Sequence, residues 1–121
     1  MSRHVVNISQ GRKKLNLAIG MDPVNGQFFY SLMNSAGVLL GNSTTGLPLS
    51  RVLSHHKIDV SSLSEFMGKA LPEIEKEEFQ YDLKRLGASL PDGYEPLDLG
   101  RVVNYPDINL SKPTVSSPSF G

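Results

Sequence analysis

The chain has 121 residues, 12 Lys or Arg against 12 Asp or Glu, and neither Cys nor Trp. That is the length of one ordinary domain, and with 39% hydrophobic and 20% charged residues it is too polar for a membrane protein and too apolar for a wholly disordered one. Zero formal charge argues against broad nucleic-acid binding, which needs Lys and Arg to neutralise phosphates, and the lack of Cys removes disulfides, thiolate zinc sites and thiol catalysis together.

The first residues, Met-Ser-Arg-His-Val-Val-Asn, lack the apolar run and small-residue cleavage site of a secretory signal, so a cytoplasmic location is expected. Residues 5–9 alternate weakly and run into Gln10-Gly11-Arg12-Lys13, which reads as a hairpin turn. In the next segment Leu15, Leu17 and Ile19 point to one face and Asn16, Ala18 and Gly20 to the other, the pattern of a half-buried strand. Asp22-Pro23-Val24-Asn25-Gly26 contains Asn-Gly, whose tolerance of positive φ suits a type I′ turn. Residues 27–33 form a third strand with bulk on both sides, Phe28, Tyr30 and Leu32 against Phe29, Ser31 and Met33, which predicts a central position in the sheet. A short turn at residues 34–37 leads to a fourth strand at 38–41. The longest uncharged apolar stretch, residues 28–40, is broken by Ser31, Asn34, Ser35 and Gly37 and is short of the ~20 apolar residues of a membrane-spanning helix.

Residues 42–48 are rich in Ser, Thr and Gly and connect sheet to helices. Leu49, Val52 and Leu53 at helical spacing predict a helix over 49–56. Ser61 or Ser62 as N-cap, with Glu65 three residues after Ser62, predicts a second over 63–71 with Leu63, Phe66, Met67 and Ala70 on one face. Pro72 fits a first helical position and opens a third, over 72–86, burying Phe79, Leu83 and Leu86 and closed by Gly87 at C′. Residues 97–106 hold a short edge strand. The expected fold is α+β: an antiparallel meander of three to five strands, packed on one face by two or three C-terminal helices. One domain is expected over residues 1–110. Residues 111–121, with Lys112-Pro113 and Ser117-Pro118, read as a flexible tail whose Val115 and Phe120 are spaced to anchor on a second copy.

Chemistry is sparse. His55 and His56 diverge by about 100° on a helix, so they do not share a metal, and with Asp59 they are the only constellation that suggests a small hydrolase. His4 is isolated and receives no role. Glu73, Glu75 and Glu77 with Lys76, Lys84 and Arg85 read as the solvated side of one helix, acidic residues early and basic late as the helix dipole prefers. No Gly-x-Ser-x-Gly elbow, phosphate loop or metal-ligand cluster occurs, so no enzyme activity, cofactor or metal is expected. Arg3, Arg12, Lys13 and Lys14 form the best basic patch, on a hairpin tip; it protects a strand edge or, as an alternative, contacts nucleic acid.

One layer of helices covers one face of a sheet. With bulk on both faces of the third strand, Phe28, Phe29, Tyr30 and Met33 become the candidate contacts to another protein, which makes an adaptor or inhibitor acting by surface contact the expected function, with a homodimer as one form of it. Ile19-Gly20-Met21-Asp22-Pro23 followed by Gln27-Phe28-Phe29-Tyr30, a strand ending at Leu40-Gly41 and a Leu- and Pro-containing helical region resembles a group of small bacterial and mobile-element proteins with a Gly-x-Asp-Pro…Phe-Phe hairpin. The resemblance covers residues 15–90 and implies a fold pattern and a bacterial or phage-like source. It carries no activity.

Overall fold

The structure is a computed structural model that describes residues 2–22, 26–89, 91–93 and 101–110. Its elements are β1 (Arg3–Gln10), β2 (Lys13–Asp22), β3 (Gln27–Asn34), β4 (Leu39–Asn42), α1 (Leu49–His55), α2 (Ser64–Arg85), β5 (Val102–Asn104) and β6 (Ile108–Leu110), with 3₁₀ turns at Ser43–Thr45 and Val60–Leu63. The antiparallel meander of the α+β expectation is present as β1 to β4. The chain then returns to the far side of the sheet, giving the order β4-β3-β2-β1-β5.

Both β5 and β6 pair with the same edge of β1, in parallel: β5 opposite Arg3 to Val5 and β6 opposite Ile8 to Gln10. They act as one edge strand broken at Tyr105-Pro106-Asp107. Tyr105 N–H still donates to the Val5 carbonyl at 2.9 Å, but Pro106 has no N–H to continue the ladder. Parallel neighbours need a long crossover, and α1 and α2 lie on that connection.

Local chemistry sets the turns. Gln10 pairs with Lys13, leaving Gly11-Arg12 as a two-residue loop, with φ of +61° at Gly11. Positive φ at the first central residue alone is the type II′ pattern that matches strand twist. The second hairpin is wider than Asn-Gly predicts: the ladder closes at Asp22 opposite Gln27, and Gly26, at φ +70°, donates its N–H to the Asp22 carbonyl at 2.7 Å. Residues 23–25, which carry the rest of the predicted turn, lie outside the described residues, as does the predicted tail 111–121 with its anchors Val115 and Phe120.

The core lies between one sheet face and the helices. His4, Val6 and Ile8, Leu15, Leu17, Ile19 and Met21, and Tyr30 and Leu32 point inward from β1, β2 and β3, and meet Val52 and Leu53 of α1 and Phe66, Ala70 and Ile74 of α2. Burying each large apolar side chain contributes about 1.5–3 kcal/mol. Gly41 faces α1 so closely that a Cβ there would stand 2.7 Å from Val52 Cγ1.

Three helical expectations are corrected. The segments 63–71 and 72–86 are one continuous helix, α2, with Pro72 in its interior; the proline removes one ladder N–H and crowds the Gly68 carbonyl, a cost of about 3 kcal/mol that the burial of Phe66, Ala70 and Ile74 on either side offsets. Neither Ser61 nor Ser62 caps the helix: its N-cap is Leu63, with no side-chain bond, and the capping carboxylate is that of Asp59, which accepts the Ser61 N–H at 3.0 Å at the start of the 3₁₀ turn that runs into α2. The inward stripe is Phe66, Ala70, Ile74, Glu77 and half-buried Tyr81, so Phe79 and Leu86 stand exposed. Gly87 does close the helix, at φ +73°. Among the described residues no helix is long and apolar enough to cross a membrane.

Candidate functional site

No described helix covers the second face of the sheet. Strand alternation puts Val5, Asn7, Asn16, Ala18, Gly20, Phe29, Ser31 and Met33 there, bordered by Leu39 of β4 and Val102 of β5. Ala18 is buried among its larger neighbours, while Leu39 and Val102 are about half exposed. The centre is held by amides: Asn16 Nδ2 donates to Asn7 Oδ1 at 3.0 Å, and Asn7 Nδ2 reaches Asp107 Oδ1 at 3.4 Å. Phe29 lies over Gly20, where a Cβ would collide with the ring and with the Ser2 carbonyl. The pleat thus divides the four aromatic-strand candidates. Phe29 and Met33 lie on the open face, both half-buried. Tyr30 points into the core at 3% exposure, with its hydroxyl donating to the Leu47 carbonyl at 2.7 Å, and Phe28 lies at the margin of that same inner face, exposed.

The polar chemistry of the molecule is buried on the other side. His4, fully enclosed on β1, has Nε2 at 3.1 Å from Glu77 Oε2 of α2 and Nδ1 at 2.9 Å from the Tyr105 hydroxyl that follows β5. Burial, reinforced by the charge of Glu73, pushes the Tyr105 hydroxyl above its usual range. A protonated phenol both donates and accepts, so the Tyr105 hydroxyl serves Nδ1 in either state of the ring. Phe66 packs edge-on against Tyr105 with ring centroids 5.0 Å apart. Glu77 Oε1 is enclosed with no hydrogen-bond partner among the described residues. Both residues correct the sequence reading, which gave His4 no role and placed Glu77 with Glu73 and Glu75 in solvent. A lone His on an inward strand position and a Glu at i+3 from Ile74 were the available signals. His4 and Glu77 are enclosed and Tyr105 is half-buried beside them, and the three tie α2 and the terminal strands to β1.

The basic residues separate. Arg3 and Gln10 mark the two ends of β1, roughly 23 Å apart at ~3.3 Å per residue, so Arg3 is remote from Arg12, Lys13 and Lys14 at the hairpin tip. That corrects the four-residue patch. The tip instead docks on the end of α1: Lys13 Nζ donates to the His56 carbonyl at 2.9 Å and Gln10 Nε2 to that of Lys57 at 3.2 Å. His55 and His56 stand edge to face, ring centroids 5.0 Å apart. Asp59 hydrogen-bonds neither; its carboxylate caps the 3₁₀ turn. Among the described residues no group of three or more His, Asp or Glu is arranged to hold a metal ion.

Comparison with protein-family models, with curated proteins and with solved structures gives no match.

Proposed function

We propose that this chain is a protein-binding module that works through the open face of its sheet. The observation that carries the reading is the one-sided placement of α1 and α2, which leaves Phe29, Met33, Leu39 and Val102 without a covering layer among the described residues. The middle of this face is apolar and amide-bearing; Arg3, Lys14 and Asp22 stand at strand ends and Asp107 sits at the edge against Asn7. Such a surface fits a partner protein of matching uncharged character, since interface centres are depleted in charge. Gly20, Asp22 and Phe29 of the hairpin that resembles mobile-element proteins lie on it. In this reading the module acts in the cytoplasm as an adaptor or inhibitor and has no catalytic role.

The test is site-specific photo-cross-linking in cells. A photoreactive side chain replacing Met33 or Leu39 is expected to give one discrete protein adduct, while the same group at Glu75, on the solvent side of α2, gives none. An adduct of twice the chain's mass identifies the partner as a second copy. Equal labelling from all three positions, or none from Met33 and Leu39, overturns the reading.

A further inference from the structure

The neutral composition hides a segregation of charge. Residues 1–58 hold six Lys or Arg against a single acid, Asp22, whereas nine of the 12 acids lie from Glu65 to Asp98. The fold then gathers most of the N-terminal cations at one corner. Arg12, Lys13 and Lys14 stand exposed on the β1–β2 turn. α1 adds Arg51 in its first turn and, one helical turn on, His55 at its last position, followed by His56 at the C-cap and Lys57.

This juxtaposition is built and not incidental. The two hydrogen bonds from Gln10 and Lys13 to the carbonyls of Lys57 and His56, just past the end of α1, hold the hairpin to the helix end. Lys57 adopts φ of +61°, the only described non-glycine residue with positive φ, and it stands at C′ of a Schellman motif: Ile58 N–H donates to Leu53 O at 2.9 Å and Lys57 N–H to Ser54 O at 3.0 Å. None of the corner's cations has an ion-pair partner among the described residues, although Lys69, Lys76, Arg85 and Arg101 all do. Asp59, two residues beyond Lys57, commits its carboxylate to the 3₁₀ turn. Unpaired like charges held together cost free energy unless an anion shares the site.

We infer that this corner binds a phosphodiester backbone, through Arg12 on the turn and Lys14 at the start of β2, with Arg51 and His55 of α1 and Lys57 just beyond it. The cations lie on a turn and a helix end, while the exposed phenylalanines stand elsewhere, Phe28 opposite Met21 at the other end of β2 and Phe79 late in α2. Such a ridge suits spaced phosphates and gives no platform for stacking bases. The corner borders the open sheet face at Lys14, the end of that face farthest from Phe29, and its other cations lie outside it. Recognition is of the backbone and not of sequence.

The experiment is fluorescence anisotropy of the full chain with labelled 20-nucleotide single strands of RNA and DNA and a 20-base-pair duplex, from 20 to 200 mM salt. With four or five phosphate contacts, single-strand affinity is expected to fall about fifty- to a hundredfold between 50 and 200 mM salt. Arg12→Glu/Lys14→Glu/Arg51→Glu, which alters exposed side chains and spares the structural hydrogen bonds of Lys13, is expected to weaken binding more than tenfold and flatten the salt slope. Arg51→Glu alone should weaken it at least threefold, and Arg3→Ala, at the far end of β1, less than twofold. Tighter binding of the strand or of the duplex tells which form the ridge fits. No binding at 20 mM salt, a triple variant that folds and binds like the parent, or equal affinity for a 20-residue poly-glutamate overturns the inference, the last because it would make the ligand an acidic peptide.

Discussion

His4 Nε2 lies 3.1 Å from Glu77 Oε2, and this contact joins the first strand to the middle of the long helix across 73 residues of chain. Both side chains are almost wholly out of water. Their desolvation is costly and is offset only while each keeps the other. Glu77→Ala leaves the imidazole without its acceptor and is expected to lose about 3–5 kcal/mol, whereas Tyr105→Phe, which deletes one neutral hydrogen bond, loses about 0.5–1.5 kcal/mol. The paired change His4→Leu/Glu77→Met removes both polar groups and should recover most of the loss. Urea unfolding measures all three. A Glu77→Ala protein within about 1 kcal/mol of the parent, well under the scale usual for buried pairs, would show that the contact holds nothing together.

This pair also marks where the sequence stops being legible. Leu15, Leu17 and Ile19 announce β2 because alternation is a local property, and Phe66 and Ala70 announce the inner side of α2 for the same reason. Glu77 continues that stripe with a carboxylate, and nothing near it in the chain says that a histidine 73 positions earlier will receive it. A stripe read by hydrophobicity alone therefore slips to Phe79, which the structure leaves in solvent. The three-residue strands β5 and β6 are too short to show a period, and their place depends on a crossover that only the folded sheet defines. Of the candidate contacts, Phe29 and Met33 follow from alternation, but deciding which side the helices cover needed the structure. The basic corner was half visible, as Arg12-Lys13-Lys14; its other half arrives through the end of α1.

Lys57 bears the strain of that helix end. An L-residue in the left-handed region costs about 1–2 kcal/mol relative to its preferred conformation, of which glycine avoids most while losing about 0.5–1 kcal/mol in chain entropy. Gly87 fills the equivalent place after α2, where Ala88 N–H donates to Leu83 O and Gly87 N–H to Lys84 O. Lys57→Gly is accordingly expected to raise stability by about 0.5–1 kcal/mol, read as a higher denaturation midpoint at unchanged m. A lower midpoint would place the side chain's own contacts above the backbone cost.

Two glycines give opposite expectations from one substitution. At Gly68, in α2, an added Cβ would meet nothing within 4 Å, so Gly68→Ala should gain about 0.5–1 kcal/mol from helix propensity alone. At Gly41 the added carbon would meet Val52 Cγ1 at 2.7 Å, and Gly41→Ala should lose about 1–3 kcal/mol as α1 is pushed from the sheet. Thermal unfolding of the two variants side by side tests the packing of both helices, and the prediction fails if their shifts share a sign.

The acid limb of stability should report His56. Burial first, then the positive charges of His55 and Lys13, hold its imidazole below the ordinary value of 6.5. A group whose pKa is lower folded than unfolded binds more protons in the unfolded chain, so its contribution is present above 6.5 and is lost as pH falls through the lowered folded value. Glu73 follows the same sign in a separate window: its hydrogen bond with Lys76 leads, with the charges of Lys76 and Arg101 adding, and lowers it from 4.5, so its contribution disappears only at more acidic pH. Unfolding free energy measured by urea at intervals from pH 7.5 to 5 should therefore decline for the parent, against an opposite contribution from Glu78, whose carboxyl is raised above 4.5 by burial and by the charges of Glu75 and Asp82. His56→Asn removes the titrating ring and should flatten this limb while leaving the decline below pH 4.5 in place. A parent curve that is level from pH 7.5 to 5, or a variant that keeps the parent's slope, would show that burial and the charges of His55 and Lys13 do not together hold His56 down.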